Sequence, residues 1–254
     1  MVVLTARDEM KGLEAVQKLK ECGGFSDNVV FHQLDVADPS SIASLADFVK
    51  TQFGKLDILV NNAGVSGVIV DDSEGPLDNQ PANWKIIQTY DLAEECVKIN
   101  YYGAKRTTEA LIPFLQLSDS PTIVNVSSGA GALQYISNEW TKEVLSNVKS
   151  LTEEKVDDVL NEFLKEYKKD SSEVKYVAYK MSKAAMNSYT RILAKKYPKF
   201  RINAVSPGYV KTDINCHTGH MTIEEGATSV VRLALLPDDG PSGLFFARQE
   251  VSSF

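Results

Sequence analysis

Tyr179 and Lys183 stand four residues apart in Tyr179-Lys180-Met181-Ser182-Lys183. In a helix this spacing puts a phenol and an ammonium on one face, with the Ser182 hydroxyl beside them. A free phenol has a pKa near ~10 and is a poor proton donor or acceptor at neutral pH. A nearby cation favours the phenolate and lowers that value. A phenol tuned in this way can give a proton to a carbonyl oxygen or take one from an alcohol. Tyr176 and Lys180 repeat the spacing, so the helix faces have to separate the two pairs. The row through Lys183 continues to Met186, Thr190 and Leu193, apolar or small, and reads as inward. The row through Lys180 continues to Ala184, Asn187, Arg191 and Lys195 and reads as solvated. Tyr179 and Lys183 are therefore the chosen pair, against the plain alternative of a surface tyrosine with a solvated lysine.

Such a pair needs a scaffold, and the chain alternates strand-like with helix-like segments. Strands are expected at Val2–Thr5, Val29–Gln33, Leu56–Val60, Thr122–Val126, Arg201–Val205 and Gly243–Ala247. Helices are expected at Leu13–Lys20, Ser40–Phe53 with Ser40 or Ser41 as N-cap, Asp91–Leu115, Val177–Tyr197 and Glu224–Leu235. Gly67 to Gln80 reads as loop. Near-continuous apolar strands between helices predict an α/β fold, a parallel sheet covered on both faces, in one domain over 1–254. Ligands of such sheets bind at the carboxyl ends of the strands. Asp35, Asn61-Asn62-Ala63-Gly64, Ser127-Ser128-Gly129 and Pro207-Gly208 all sit there. Each could be only a turn or a cap; their order at successive strand ends argues for a site. Asn138 to Asp170 breaks the rhythm and reads as one or two amphipathic helices inserted before Tyr179. The insertion is a solvated excursion, a lid over the site, or a cap on a surface that would otherwise dimerise.

Composition excludes several classes. The chain has 254 residues, 43% hydrophobic and 24% charged, and a net charge of −7 that gives no basic footprint for nucleic acid. No apolar run reaches membrane-spanning length, and Arg7, Asp8 and Glu9 end the apolar start at once, so neither a membrane span nor a signal peptide is expected. Cys22, Cys96 and Cys216 are scattered, which reads as reduced thiols in a cytoplasmic setting. Cys216-His217-Thr218-Gly219-His220 matches no usual zinc spacing, and no metal site is expected.

Taken together, Leu34-Asp35-Val36, Asn61-Asn62-Ala63-Gly64, Asn100, Val126-Ser127-Ser128, Tyr179-x-x-Ser182-Lys183 and Pro207-Gly208-x-Val210-x-Thr212 resemble the short-chain dehydrogenases/reductases, from Met1 to Phe254. The likeness is nearest to the plant carbonyl-reductase branch, which includes menthone/neomenthol and salutaridine reductases. The resemblance implies a Rossmann-like doubly wound sheet and a reductase turning a ketone or aldehyde into an alcohol with NADP(H). Tyr179 would be the proton donor, and Ser128 would hydrogen-bond the substrate oxygen. Lys183 would lower the Tyr179 pKa and bind the nicotinamide ribose. Asn100 would complete a proton relay through water. Asp35 would contact adenine, and the backbone of Asn62, Ala63 and Gly64 would lie beneath the adenosine ribose. Pro207, Gly208, Val210 and Thr212 would hold the carboxamide. Arg7, just past the first strand, suits a 2′-phosphate and so NADP(H); its alternative is an ion pair with Asp8 or Glu9. The substrate would be a small carbonyl or alcohol, a terpenoid or alkaloid among them. Trp84, Tyr90, Tyr135 and Trp140 are candidates to line its pocket, and the protein would be a monomer.

One part of the family pattern is missing. The family opens with a strand, a glycine-rich turn and a helix, whereas this chain begins in what would be its second strand, and Gly23-Gly24 lies too late to serve. An N-terminally truncated form is expected, with a central strand absent and two strand edges left unpaired. Two functions follow: the NADPH-dependent carbonyl reductase, or a non-catalytic remnant that has lost cofactor binding and acts, if at all, as a binding protein.

Overall fold

The computed structural model describes residues 1–21, 28–71, 85–169 and 176–254. Cys22, Gly23-Gly24, the expected loop residues 72–80, Trp84 and Asp170 lie outside these. The elements run β1 (Val2–Ala6), α1 (Glu9–Glu21), β2 (Val29–Gln33), α2 (Pro39–Gln52), β3 (Ile58–Asn61), β4 (Ile69–Asp71) and β5 (Lys85–Ile87). There follow α3 (Tyr90–Val97), a π-helical segment (Lys98–Gly103), α4 (Ala104–Leu115), β6 (Thr122–Val126), α5 (Glu139–Ser146) and α6 (Glu153–Lys169). The chain closes with α7 (Val177–Lys196), β7 (Arg201–Ser206), α8 (Ile223–Ala234), β8 (Phe245–Ala247) and β9 (Glu250–Ser252). The fold is the expected Rossmann-like α/β arrangement around a mostly parallel sheet.

Local chemistry accounts for most boundaries. Asp8 accepts a hydrogen bond from the Lys11 N–H at 3.0 Å, so α1 starts a turn before its apolar stripe. Asp38, rather than Ser40 or Ser41, caps α2, accepting from the Ser40 N–H at 2.9 Å with Pro39 at the first helical position. The Ser41 hydroxyl instead accepts from the Asp35 N–H at 2.9 Å. The strands of the β4–β5 hairpin and β9, three residues each, are too short for alternation to announce.

The parallel strands fall into two sheets. β1 pairs with β2, from Val2 opposite Val29 to Ala6 opposite Gln33. β3, β6, β7, β8 and β9 form the other, with β3 at its edge. No described strand joins β1 to β3, and apolar residues beside the break are open: Val60 is 39% exposed and Val2 58%. Within the larger sheet a buried polar chain ties strands to helices. Asn61 donates to Thr108 at 2.9 Å and to Asn125 at 2.8 Å, and Asn125 donates to Thr190 at 2.9 Å. Asn61 therefore serves the scaffold.

Burial of α7 differs from expectation. Ala184 and Asn187 belong to the row read as solvated, yet both are fully buried, and every residue from Met181 to Thr190 is buried. The reason is enclosure: α7 packs on β7, α3, the π-helical segment and α6 together. The insertion supplies one of those walls. It forms two helices; Val156, Val159 and Leu160 of α6 enter the main core, and α6 packs on α7, α3 and α5.

Charge reinforces that packing. The Lys105 ammonium of α4 lies 2.9 Å from Asp157 and 3.5 Å from Glu153, and Lys196 of α7 lies 3.1 Å from Glu153. The side chains of Lys105, Glu153 and Asp157 are mostly buried. Hydrogen bonds to charged groups contribute about 1.5–3 kcal/mol, so Asp157→Ala should lower the unfolding free energy by about 2 kcal/mol. Urea titration should show a lower midpoint with an unchanged slope; an unshifted midpoint would mean that the pair contributes nothing to holding the insertion.

Candidate active site

The end of β6 and the first turns of α7 are brought together by a glycine. A Cβ on Gly131 would lie 2.7 Å from the Lys183 carbonyl carbon and 2.8 Å from the Ala184 nitrogen, so only glycine lets the turn after β6 rest on the α7 backbone. That contact sets Ser127 and Ser128 against α7. Ser127 is buried and donates to the Lys183 carbonyl at 3.4 Å. Ser128 caps the following turn, accepting from the Ala130 N–H at 3.1 Å, and its hydroxyl also meets the Tyr179 phenol.

The helix decides between the two tyrosines. Tyr176 is not in α7 but just before it, with φ at 59°, so Tyr176 and Lys180 do not share a helical face. Tyr179 and Lys183 do, and the ammonium lies 5.7 Å from the ring centroid. Lys183 is buried and donates to the Val126 carbonyl of β6 at 2.8 Å. Burial pushes its pKa down to about 8. Burial also dominates at Tyr179 and pushes the phenol up, against a smaller lowering by Ser128. The expected lowering by Lys183 is not among the causes of this shift, which burial carries.

Asn100 sits in the π-helical segment and is wholly buried. Its Oδ1 accepts from the Val65 N–H at 2.8 Å and its Nδ2 donates to the Val65 carbonyl at 2.9 Å. This fixes the loop after β3, where Asn62 and Ala63 are exposed and Gly64 is half-buried. Beyond β7, Gly208 has φ at +97°, a conformation that L side chains rarely adopt, and lies against the Met221 thioether. Val210 then pairs with Met221, and Thr212 closes a reciprocal cap with Asn215.

These ends enclose one cavity of about 990 Å³. Of the residues singled out from sequence, it collects Asn62, Gly64, Ser128, Tyr179 and Lys183, with Pro207, Gly208, Val210 and Thr212 on the β7 side. Asn100 lies behind the wall. Ala63 neighbours the lining without contributing to it. Arg7 and Asp35 stand off at the ends of β1 and β2. Arg7 is exposed and forms no ion pair with Asp8 or Glu9 among the described residues; Asp35 accepts from the Ala37 N–H at 2.8 Å.

The proposed aromatic lining is replaced. Tyr135 and Trp140 are exposed, Tyr90 packs under the Lys168 ammonium, and none of the three lines the cavity. Tyr176 and Tyr209 do, with Ser66, Ala130 and Ile214. Tyr209 was legible, since it falls inside Pro207-Gly208-x-Val210, whereas Tyr176 was hidden in the discarded pair. Among the described residues none of 138–169 lines the cavity. His217 lies 2.9 Å from Asp213, and the His220 ring lies 5.8 Å from that of Tyr209.

The buried ammonium has a measurable signature. Its folded pKa, about 8, lies below the ordinary 10.5. Between those values the unfolded chain holds a proton that the folded chain has released, so stability rises with pH across the window and the burial cost is fully present below it. At about 1.4 kcal/mol per pKa unit the span is about 3 kcal/mol. From pH ~7 to ~10.5 the wild-type chain should therefore gain about 3 kcal/mol of stability relative to Lys183→Met. A difference that stays constant with pH would refute a charged, desolvated Lys183.

Comparison with known proteins agrees with this geometry. The family model for short chain dehydrogenases matches residues 1–140, and one described as enoyl-(acyl carrier protein) reductase matches 164–234. A (+)-neomenthol dehydrogenase of Arabidopsis thaliana is 57% identical over 264 residues, covering all of this chain and 89% of the relative. The structure of salutaridine reductase from Papaver somniferum superposes with a TM-score of 0.90 at 53% identity, covering 97% of this chain and 90% of that one. Menthone neomenthol reductase from Mentha piperita gives 0.85 at 48%, covering 98% and 90%. A sheet with its functional side chains at successive strand ends, a paired Tyr179 and Lys183, and relatives this similar over the whole chain together mean that the protein belongs to the short-chain dehydrogenase/reductase family, in its plant neomenthol dehydrogenase and salutaridine reductase branch.

Proposed function

We propose that this chain is an NADP(H)-dependent carbonyl reductase that converts a ketone or aldehyde of a small apolar molecule, of terpenoid or alkaloid kind, to the alcohol and runs reversibly. The observation that carries the reading is the meeting of Ser128, Tyr179 and Lys183 on one wall of a cavity of about 990 Å³. In this reading Ser128 donates to the substrate oxygen and orients it. Tyr179 gives its phenolic proton to that oxygen as it becomes a hydroxyl, which is general acid catalysis. The Lys183 ammonium holds ribose hydroxyls; it lines the cavity with no carboxylate paired to it among the described residues, which suits neutral hydroxyl ligands. Asn62, Ala63, Gly64 and Asp35 serve the adenosine half, and Pro207, Gly208, Val210 and Thr212 the carboxamide. Arg7, exposed and unpaired with its acidic neighbours, suits the 2′-phosphate. When bound, the nicotinamide supplies the hydride. Asn100 acts by keeping the loop at Val65 in place for a water-borne proton relay. We assign the chain to a monomeric state, since α6 covers the α4 and α7 flank that would otherwise be free to pair, and to the cytoplasm on its free Cys96 and Cys216.

A second reading, a non-catalytic remnant, is favoured by the break between β1 and β3, which no strand bridges among the described residues. NADPH titration by fluorescence separates the two: saturable binding with carbonyl-dependent oxidation supports the reductase, and neither supports the remnant. For the reductase, Tyr179→Phe should cut kcat by about 10²-fold or more with an unchanged circular dichroism spectrum. Retained turnover would refute the role of the phenol. Arg7→Ala should weaken NADPH about 10-fold or more while sparing NADH, since a charged hydrogen bond contributes about 1.5–3 kcal/mol. Equal effects on the two dinucleotides would remove Arg7 from cofactor choice.

A further inference from the structure

Behind the cavity wall the Asn100 amide is saturated. Its Oδ1 takes the Val65 N–H at 2.8 Å, and one amide hydrogen can serve the Val65 carbonyl at 2.9 Å. The other faces the Ser182 hydroxyl at 3.0 Å and the Cys96 sulfur at 3.2 Å. Ser182 in turn donates to the Tyr179 carbonyl at 2.9 Å. Its hydroxyl thus receives from α3's π-helical extension and gives to the residue that presents the phenol. Asn100 and Ser182 are fully buried, so no solvent can replace these partners. Cys96 closes the remaining side: it is wholly buried, its thiol is pushed up to about 11 by burial, and the loop backbone at Gly67 passes directly over it.

We infer that Ser182 is a positioning residue, the joint through which Asn100 fixes the backbone of Tyr179 relative to the loop at Val65. This rests on the reductase reading and adds to it a residue that touches neither substrate nor cofactor. The need for such a joint is physical. Tyr179 lies in the first turn of α7, whose leading N–H groups have no intrahelical partners, and Tyr176 before it offers no side-chain cap. The Ser182 hydroxyl bonds the Tyr179 carbonyl within that turn and ties it to Asn100 of the π-helical segment. A small drift of the phenol from the substrate oxygen would lower turnover without touching cofactor contacts.

The test is Ser182→Ala. Removing the joint should lower kcat about 10-fold, the scale of one to two buried hydrogen bonds, with KM for NADPH within about 2-fold of wild type. The Val65 amide, which donates to Asn100, should exchange with deuterium about 10-fold faster, since Asn100 loses one of its holders. Ser182→Thr keeps the hydroxyl and should restore most of kcat. Wild-type kcat in Ser182→Ala, or a loss of kcat matched by an equal rise in KM with Val65 exchange unchanged, would overturn the assignment. If the wild-type chain reduces no carbonyl, the reductase reading is what fails. Val65 exchange then decides the joint alone: acceleration upholds it and no change overturns it.

Discussion

The structure turns on one buried cation. Lys183 carries an ammonium into the interior of α7 and sets it against the Val126 carbonyl at 2.8 Å. A desolvated charge is costly, and the surroundings are built to hold it there. Gly131 lets the turn after β6 lie on the α7 backbone, Ser127 bonds the Lys183 carbonyl, and the π-helical segment, α3 and α6 close the other sides. The same enclosure buries Asn187 and Ala184, on the face that side-chain chemistry alone marks as exposed. An ammonium with a pKa near 8 and a phenol raised by the same burial are thus two consequences of one packing decision.

Around that centre the polar groups divide by depth. Asn61, Asn125, Thr108 and Thr190 bond one another and hold strands to helices. Asn100, Ser182 and Cys96 form a next layer that fixes the loop at Val65 and the first turn of α7. Ser128 and Tyr179 reach the cavity itself. Adjacent residues in sequence fall in different layers, Asn61 from Asn62 and Ser182 from Lys183, because successive positions on a strand or helix point in different directions. Among the described residues no strand joins β1 to β3, and Val60, which lines the cavity, stays 39% exposed beside that break.

Much of this was legible in order and type. Parallel strands announced themselves by β-branched runs, and the strand-end residues Ser128, Gly64, Pro207 and Thr212 fell where the topology of an open α/β sheet puts its ligands. Other features had no local signal. The strands of β4, β5 and β9 are too short to alternate visibly. Asp38 took the α2 cap from Ser40 and Ser41 because Pro39 had already fixed the first helical residue. Tyr135 and Trp140 carry the right chemistry for a pocket and face outward, while Tyr209 and Tyr176 fill the place expected of them.

The sequence by itself determined the family, the order of the elements and which side chains could carry proton transfer, because these follow from residue type, spacing and periodicity. The sequence already chose Tyr179 with Lys183; the tertiary structure supplied the reason, since Tyr176 precedes the helix at φ 59° while Tyr179 is in it. It also decided the electrostatic state of the pair, because a pKa depends on water removed by neighbours far away in the chain: Val126 on β6, the turn at Gly131 and the walls of α3 and α6. Spacing can bring a phenol and an ammonium together, but only packing settles whether they are wet or dry.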